Sequence, residues 1–271
     1  MSIQPPFAID LSNRSVLIFR GADRVRYLNG QLSNDVRKLQ PDKALHACVM
    51  NAKGKMNADV WLALDGDTIR VDGPPQLSEE LVARFERYIV ADDVEIENVT
   101  GKSLLFHIIG ASVEGTKSAR FGTAGVDIFE RPNFPILTSA QAESFRIEQG
   151  IPAWGTELTE DTLPPEAGLD ADSIDYHKGC YIGQEVISRI KSVGRVNRHL
   201  VRISAARGTP LQPGTRLFAG STDAGVVTSS APSLDLENTV ALAYLKRVVA
   251  VESGLKLAIA VGAPADISVH P

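Results

Sequence analysis

From residue 199 to residue 270, short runs typical of β-strands alternate with turns, and this pattern restricts the segment to an all-β fold. Glycine, proline, asparagine and serine separate the runs. The runs cover residues 199–203, 216–218, 225–229, 240–244, 256–259 and 267–270. Such regular spacing of short strands predicts a small β-barrel or sandwich that forms a domain of its own.

The first 199 residues mix helix and strand patterns, which predicts an α+β fold. Apolar residues at helical spacing predict helices that begin near Asp23 and Ser78, and we expect these two side chains to cap them. A further helix is expected over residues 138–148. Strands are expected over residues 15–20, 44–51, 58–64, 68–72, 94–99, 103–109 and 126–130.

The composition excludes several classes of protein. The chain has 271 residues, a net charge of −5 and a pI of about 5.6, which argues against a general nucleic-acid binder. No run approaches the ~18 apolar residues of a membrane span, and no signal peptide is evident. With Cys48 and Cys180 as the two cysteines, one chain cannot supply a disulfide framework or four thiolates for a cluster. We therefore expect a cytoplasmic protein without a metal site of its own.

The most specific segment is residues 178–185, Lys-Gly-Cys-Tyr-Ile-Gly-Gln-Glu. Cys180 lies in a glycine-containing loop just before a helix expected over residues 184–191. The amide groups at a helix N-terminus favour negative charge, and Lys178 is close in sequence, so the pattern suits a reactive thiolate. The alternative is that Cys180 is a small buried hydrophobic residue, which is common for a single cysteine.

Glu148 is the second candidate, because it ends the helix expected over residues 138–148. A carboxylate at this end interacts unfavourably with the helix dipole, at a cost of about 0.3–1 kcal/mol, so a compensating partner is expected. Arg146 is one possible partner. A ligand with paired N–H donors is another, and a 2-amino-4-oxo-pterin presents such a pair at N3–H and its 2-amino group.

Other motifs are weaker. Residues 110–118 imitate a phosphate-binding loop, but Thr116 separates Gly115 from Lys117, so we expect a surface turn. The five histidines lack metal-ligand spacing; His107 is expected to be structural, and His177 lies beside the Cys180 loop. A basic stretch is either a solvated face or a site for an anionic ligand; it comprises Arg189, Lys191, Arg195, Arg198 and Arg202.

The segments at 178–185, 146–152 (RIEQGIP), 164–170 (PPEAGLD) and 21–36 (GADRVRYLNGQLSNDV) resemble the YgfZ-type folate-binding proteins, which are relatives of the glycine-cleavage T-protein. The resemblance covers nearly the whole chain. It implies a three-domain cloverleaf around a tetrahydrofolate site. The implied domains are residues 1–50 with 136–199 for folate binding, an inserted α+β domain over 51–135, and a C-terminal β-barrel over 200–271.

The resemblance also implies roles for particular residues. Glu148 matches the carboxylate that holds the pterin, although Gln149 replaces the alanine common at the next position. Cys180 matches the characteristic cysteine, with Lys178 expected to lower its pKa. Asp59 remains from a pair of aspartates that serves aminomethyl transfer in T-proteins, whereas Ala58 replaces the other, which argues against that reaction if the essential carboxylate aligns there. Candidate folate contacts are Glu148, Asp59, Tyr181 and Arg189, although Tyr181 is alternatively a packing ring.

The resemblance thus implies a tetrahydrofolate-binding protein that supports assembly or repair of iron–sulfur clusters in client enzymes, including enzymes that modify tRNA. Its partners would be iron–sulfur client or assembly proteins. The alternative is a folate-dependent aminomethyltransferase that needs a lipoyl-carrier protein. Direct RNA binding through the basic stretch is a third hypothesis, which the acidic net charge disfavours.

Overall fold

The computed structural model describes residues 4–252 and 254–270. These residues form four α-helices and fifteen strands, together with short 3-10 helices. The helices are α1 (Arg24–Gln31), α2 (Ser78–Glu86), α3 (Ser139–Glu148) and α4 (Gln184–Val193). The strands are β1 (Phe7–Asp10), β2 (Ser15–Arg20), β3 (Leu45–Met50), β4 (Met56–Asp65), β5 (Thr68–Gly73), β6 (Glu95–Asn98), β7 (Phe106–Ile109), β8 (Thr116–Ser118), β9 (Gly125–Ile128), β10 (Arg198–Ala206), β11 (Arg216–Ala219), β12 (Thr222–Pro232), β13 (Asn238–Lys246), β14 (Lys256–Leu257) and β15 (Ile267–His270).

The first sheet has five antiparallel strands in the order β3-β4-β5-β2-β6. Alternate residues of its strands, such as Val60 and Leu62 on β4, point to one face and form the largest apolar core with α1 and α2. From α2, Leu81 and Phe85 enter this core. The opposite face carries polar groups, including Asp59 on β4, and this face borders the candidate site.

The second sheet has four antiparallel strands in the order β1-β7-β9-β8. Helix α3 packs on it, with Phe145 against Phe7 and Phe121. Thr138 caps α3 through a capping box with Gln141. The sequence did not predict β1 or β8. Strand β8 lies where we expected a surface turn, and its three residues are too few to show a period of two.

The C-terminal sheet confirms that the segment after residue 199 is rich in β-strands, as expected. Its six strands run in the order β11-β12-β13-β10-β15-β14. A bridge between Phe218 and Ala258, with N–O distances of 2.8 and 2.9 Å, joins the two ends and nearly closes the sheet into a barrel. Apolar side chains such as Leu217 and Leu245 fill its interior.

The division into domains stays a prediction, and one predicted boundary falls inside a sheet. A boundary at residue 50 would fall between β3 and β4, but these strands pair as one hairpin of the first sheet. That sheet also includes β2, β5 and β6, so it draws residues from both predicted α+β domains. Strand β1 likewise joins the second sheet through β7.

Two predicted helix caps were wrong in detail. Asp23 occupies the N-cap position of α1, but its carboxylate accepts from the Asp93 N–H and from Arg26. Ser78 is the first residue of α2, and its hydroxyl bonds to Thr100 and Asn98. Groups outside the helices, such as Asp93 for Asp23 and Thr100 for Ser78, occupy these side chains, and a sequence pattern does not show them.

Arg120 joins the first two sheets through buried ion pairs. Its guanidinium donates two hydrogen bonds to Asp72 on β5, at 2.8 and 2.7 Å, and one to Asp127 on β9, at 2.7 Å. Burial by itself raises the pKa of Asp72, but Arg120 and Arg14 outweigh it and hold that pKa below its usual range. His107 bonds to Asp127 through Nδ1, in the structural role expected for it.

We expect Arg120→Met to lower the free energy of unfolding by about 3–5 kcal/mol, because it leaves two buried carboxylates without their shared cation. Urea denaturation monitored by circular dichroism measures the change. Arg131→Met, at an exposed arginine, is the matched control and should change the value by less than about 0.5 kcal/mol. A similar small effect for both variants would contradict the assigned role of Arg120.

Candidate functional site

Two cavities meet at Trp61 on the polar face of the first sheet. The larger, of about 750 Å³, lies between the start of β3 and the second sheet, and we call it the large cavity. The smaller, of about 290 Å³, is lined by Asp59, Arg120 and residues that follow α3, and we call it the Asp59 cleft. Trp61 lines both spaces. Part of the 110–118 segment lines the large cavity, so it contributes to a cavity wall.

The alternation of β4 decides which residue reaches the cleft. Ala58 is fully buried in the apolar core beneath α1 and α2. Asp59 points to the opposite face and lines the cleft, with its side chain 17% exposed. The alanine at position 58 therefore removes no carboxylate from the cleft, and the argument that Ala58 disfavours aminomethyl transfer loses its force.

His46 is a site residue that the sequence did not reveal. Its ring stacks on Trp61, directly opposite on the neighbouring strand, with centroids 4.5 Å apart. Its Nδ1 lies 3.2 Å from an Asp172 carboxylate oxygen, and its buried Nε2 lies 4.0 Å from Asp59 Oδ2. Strands were predicted over residues 44–51 and 58–64, but only the register of their pairing brings His46 and Trp61 together.

Glu148 is the last residue of α3 and is half-buried at the barrel. One carboxylate oxygen, Oε1, accepts from the Leu234 N–H in the turn after β12. Burial raises the pKa of Glu148, the Leu234 N–H partly opposes this, and Asp235 raises it further. Within residues 4–252 and 254–270, Oε2 accepts no hydrogen bond from the protein.

Arg146 does not compensate Glu148. Its guanidinium donates to Glu143 and Glu157 and to the Ser229 hydroxyl of β12. This network ties α3 to the barrel, and Arg146 also lines the Asp59 cleft. The end of α3 therefore borders the cleft, with Arg146 before Glu148 and Ile151 after it both in the cleft wall.

Cys180 is exposed, which favours the reactive-thiol interpretation over the buried one. It precedes α4, whose N-cap, Gly183, has a φ of +87°, and a side chain there would collide with the Asn51 carbonyl. Cys48 differs: it is fully buried, and burial raises its pKa to about 12. The two thiols therefore have opposite environments.

Lys178 is buried, only 6% exposed, and its ammonium donates to three main-chain carbonyls. These belong to Asn29, Leu32 and Asn34, each at 2.7 Å. Burial lowers the pKa of Lys178 to about 8, while Asp35 and Asp175 partly oppose the shift. The lysine is thus held at the C-terminal end of α1.

The candidate residues do not form one cluster. Of the six, Asp59 alone is among the residues that line the Asp59 cleft. Tyr181 is buried in an apolar cluster with Met50 and Met56, and burial raises its pKa. Arg189 is exposed on α4. His177 is also exposed.

We expect iodoacetamide to add one carbamidomethyl group per native chain, at Cys180, because Cys48 is buried and its raised pKa disfavours the thiolate. Intact-mass spectrometry counts the adducts. Cys180→Ser should abolish labelling of the folded protein, and Cys48→Ser should leave it unchanged. Rapid labelling of Cys48 in the folded wild type would contradict this assignment.

In residues 4–252 and 254–270, no helix has the length and apolarity needed to cross a membrane. The same residues contain no group of three or more His, Cys, Asp or Glu side chains arranged to hold a metal ion.

Comparison with known proteins gives a consistent result, although no family model matches the chain. The tRNA-modifying protein YgfZ of Shigella dysenteriae is 28% identical over 231 residues, which cover 72% of this chain and 71% of the relative. An aminomethyltransferase of Rubrobacter xylanophilus is 28% identical over 280 residues, covering 87% of this chain and 75% of the relative. The crystal structure of the glycine cleavage system aminomethyltransferase T from Bartonella henselae matches with a TM-score of 0.82 at 18% identity, covering 98% of this chain and 85% of that one. The chain therefore has an aminomethyltransferase-like fold and is similar to YgfZ-type proteins, as the resemblance in its sequence implied.

Proposed function

We propose that this protein binds tetrahydrofolate or a derivative and supports assembly or repair of iron–sulfur clusters in client enzymes. The observation that carries the proposal is the half-buried Glu148 carboxylate at the end of α3, the helix whose Arg146 lines the Asp59 cleft. The similarity to proteins named tRNA-modifying protein YgfZ supports clients that modify tRNA. We place the protein in the cytoplasm and its partners among iron–sulfur client or assembly proteins.

The chemistry of Glu148 suits a pterin. A carboxylate accepts hydrogen bonds only, and the N3–H and 2-amino group of a pterin offer two parallel donors. Glu148 has one oxygen without a partner among the described residues, and the Leu234 N–H occupies only part of the other. Burial weakens competition from water, so each hydrogen bond to the carboxylate contributes more than it would on an exposed surface.

The cavities supply space and further polar groups. The large cavity, of about 750 Å³, falls in the ~300–1,000 Å³ range of small-molecule sites. Asp59 adds a second carboxylate, and Trp61 an aromatic wall. We propose Tyr181 and Arg189 as further contacts for a folate, with Arg189 facing its anionic tail. The proposed three-domain cloverleaf would put this ligand between the two α+β domains and the barrel.

Cys180 is the thiol that would act in the iron–sulfur role, with Lys178 as its neighbour in the loop. It is exposed, while Cys48 is sealed in the core. One accessible cysteine cannot complete the ligand set of a cluster that needs four thiolates. We therefore propose that a client protein or a small thiol such as glutathione supplies the remaining ligands.

We expect calorimetric titration to show tetrahydrofolate binding by the wild type and a loss of about tenfold or more in Glu148→Gln, because the amide cannot accept two charge-assisted hydrogen bonds. Binding should also weaken at acidic pH, since protonation of Glu148, whose pKa burial raises, removes the acceptor. Glu160→Gln, at an exposed glutamate, is the control. Failure of the wild type to bind would refute the folate proposal, and equal binding by Glu148→Gln would refute the role of Glu148.

A second candidate function is folate-dependent aminomethyl transfer. The observation in its favour is Asp59, whose carboxylate faces the cleft while Ala58 lies in the core. The similarity to an aminomethyltransferase over 87% of the chain agrees with it. On this hypothesis Asp59 serves the reaction and Cys180 does not.

The two functions predict different behaviour in an assay of methylene-tetrahydrofolate formation from an aminomethyl-lipoyl carrier protein. For the leading proposal we expect no turnover above that of a heat-denatured sample, together with lower activity of iron–sulfur enzymes in cells that carry Cys180→Ala. Sustained turnover that Asp59→Asn abolishes and Cys180→Ala preserves would establish the transferase instead. Cys180→Ser is the second variant that removes the Cys180 thiol, and it should behave as Cys180→Ala does. Cys48→Ala is not used as a control, because it would leave a cavity in the core.

A further inference from the structure

The loop that carries Cys180 is fixed on the C-terminal end of α1. Besides the three bonds from Lys178, the Ile182 N–H donates to the Gly30 carbonyl at 3.3 Å. The Asp175 N–H donates to the Ser33 carbonyl at 3.1 Å. Cys180 therefore lies between two attachment points, Lys178 before it and Ile182 after it, and its own side chain remains exposed.

The end of an α-helix explains why a lysine suits this position. The last carbonyls of a helix have no partner within the helix, and the helix dipole places partial negative charge there. Helix α1 ends at Gln31, so the carbonyls of Asn29 and Leu32 belong to its final turn and cap. The Lys178 ammonium neutralises this end and satisfies the carbonyls at the same time.

An ammonium group has three protons, and carbonyl oxygens accept all three from Lys178. Across residues 4–252 and 254–270, no hydrogen bond joins Lys178 Nζ to Cys180 Sγ. The charged groups that act on Lys178 are the carboxylates of Asp35 and Asp175 and the guanidinium of Arg37. The aromatic ring of Tyr181 lies 5.1 Å from Nζ.

We propose that Lys178 is a positioning residue: its hydrogen-bond geometry fixes the Cys180 loop on the end of α1, and its charge is not what activates the thiol. The inference rests on the proposed function in one respect, that Cys180 is the working thiol. It changes the role expected for Lys178, which the sequence alone assigned to lowering the pKa of a neighbouring cysteine.

Lys178→Met and Lys178→Arg separate geometry from charge. Methionine removes the donors, whereas arginine keeps the charge but cannot direct three N–H groups from one nitrogen at converging carbonyls. We expect hydrogen–deuterium exchange at the Asp175 and Ile182 amides to accelerate about tenfold or more in both variants. Lys53→Met, at an exposed lysine in the turn before β4, should exchange at the wild-type rate.

The rate of Cys180 alkylation, measured across a range of pH, distinguishes a positioning role of Lys178 from a charge role. A positioning role predicts that both variants change the rate by a similar factor at every pH. A charge role predicts a profile displaced along the pH axis in Lys178→Met and a wild-type profile in Lys178→Arg. That second result, or wild-type amide exchange in both variants, would overturn the proposal.

The wild type provides a test that does not depend on the variants folding. Its Lys178 ammonium should give a slowly exchanging signal in a nitrogen-15 NMR spectrum at neutral pH, because three carbonyls hold its protons in a buried site. Through-bond correlations from Nζ along the lysine side chain assign the signal to Lys178 in the wild type itself. If circular dichroism shows that either variant is unfolded, the wild-type spectrum alone tests the proposal. A slowly exchanging Lys178 signal supports the proposal, and the absence of such a signal refutes it. None of these measurements uses folate, so failure of tetrahydrofolate binding is a separate result.

Discussion

The site depends most on the buried ion pairs that the Arg120 guanidinium makes. The guanidinium lies between two antiparallel sheets and bonds to a carboxylate from each, Asp72 and Asp127. With Arg14 on Asp72, the group contains two cations and two anions, so burial leaves no net charge uncompensated. Arg120 also lies over the Trp61 ring, at 5.1 Å from its centroid. The spacing of the sheets, the position of Trp61 and the shape of both cavities are therefore linked.

The barrel is attached by a second buried network of the same kind. Glu157 accepts from Arg146 and from Ser229 of β12, while Arg202 of β10 donates to the Glu148 carbonyl at 2.6 Å. Burial by itself raises the pKa of Glu157, but Arg146 and the surrounding hydrogen bonds outweigh it and lower the pKa. These contacts hold the end of α3 between the cleft and the barrel. Directional bonds between charged groups specify such a junction more closely than apolar contact does.

The candidate thiol and the candidate folate site are connected through one short segment, residues 29–34. The Asn34 carbonyl accepts from Lys178, and its side-chain amide donates to the carbonyls of His46 and Asp172 at the wall of the large cavity. The same residue thus contacts the Cys180 loop and the strand that carries His46. The exposed thiol, the end of α1 and the polar face of the first sheet form one continuous part of the structure.

The sequence by itself determined the α+β character of the first 199 residues, the β-rich character of the C-terminal segment, and the helices α1 to α4, because periodicity and turn residues act locally. It also singled out Cys180 and Glu148. Only the tertiary structure decided that Asp59 faces the cleft while Ala58 is buried, that Lys178 bonds to carbonyls of α1, and that His46 stacks on Trp61. These outcomes depend on strand register and on partners distant in sequence, and local propensity carries no information about either.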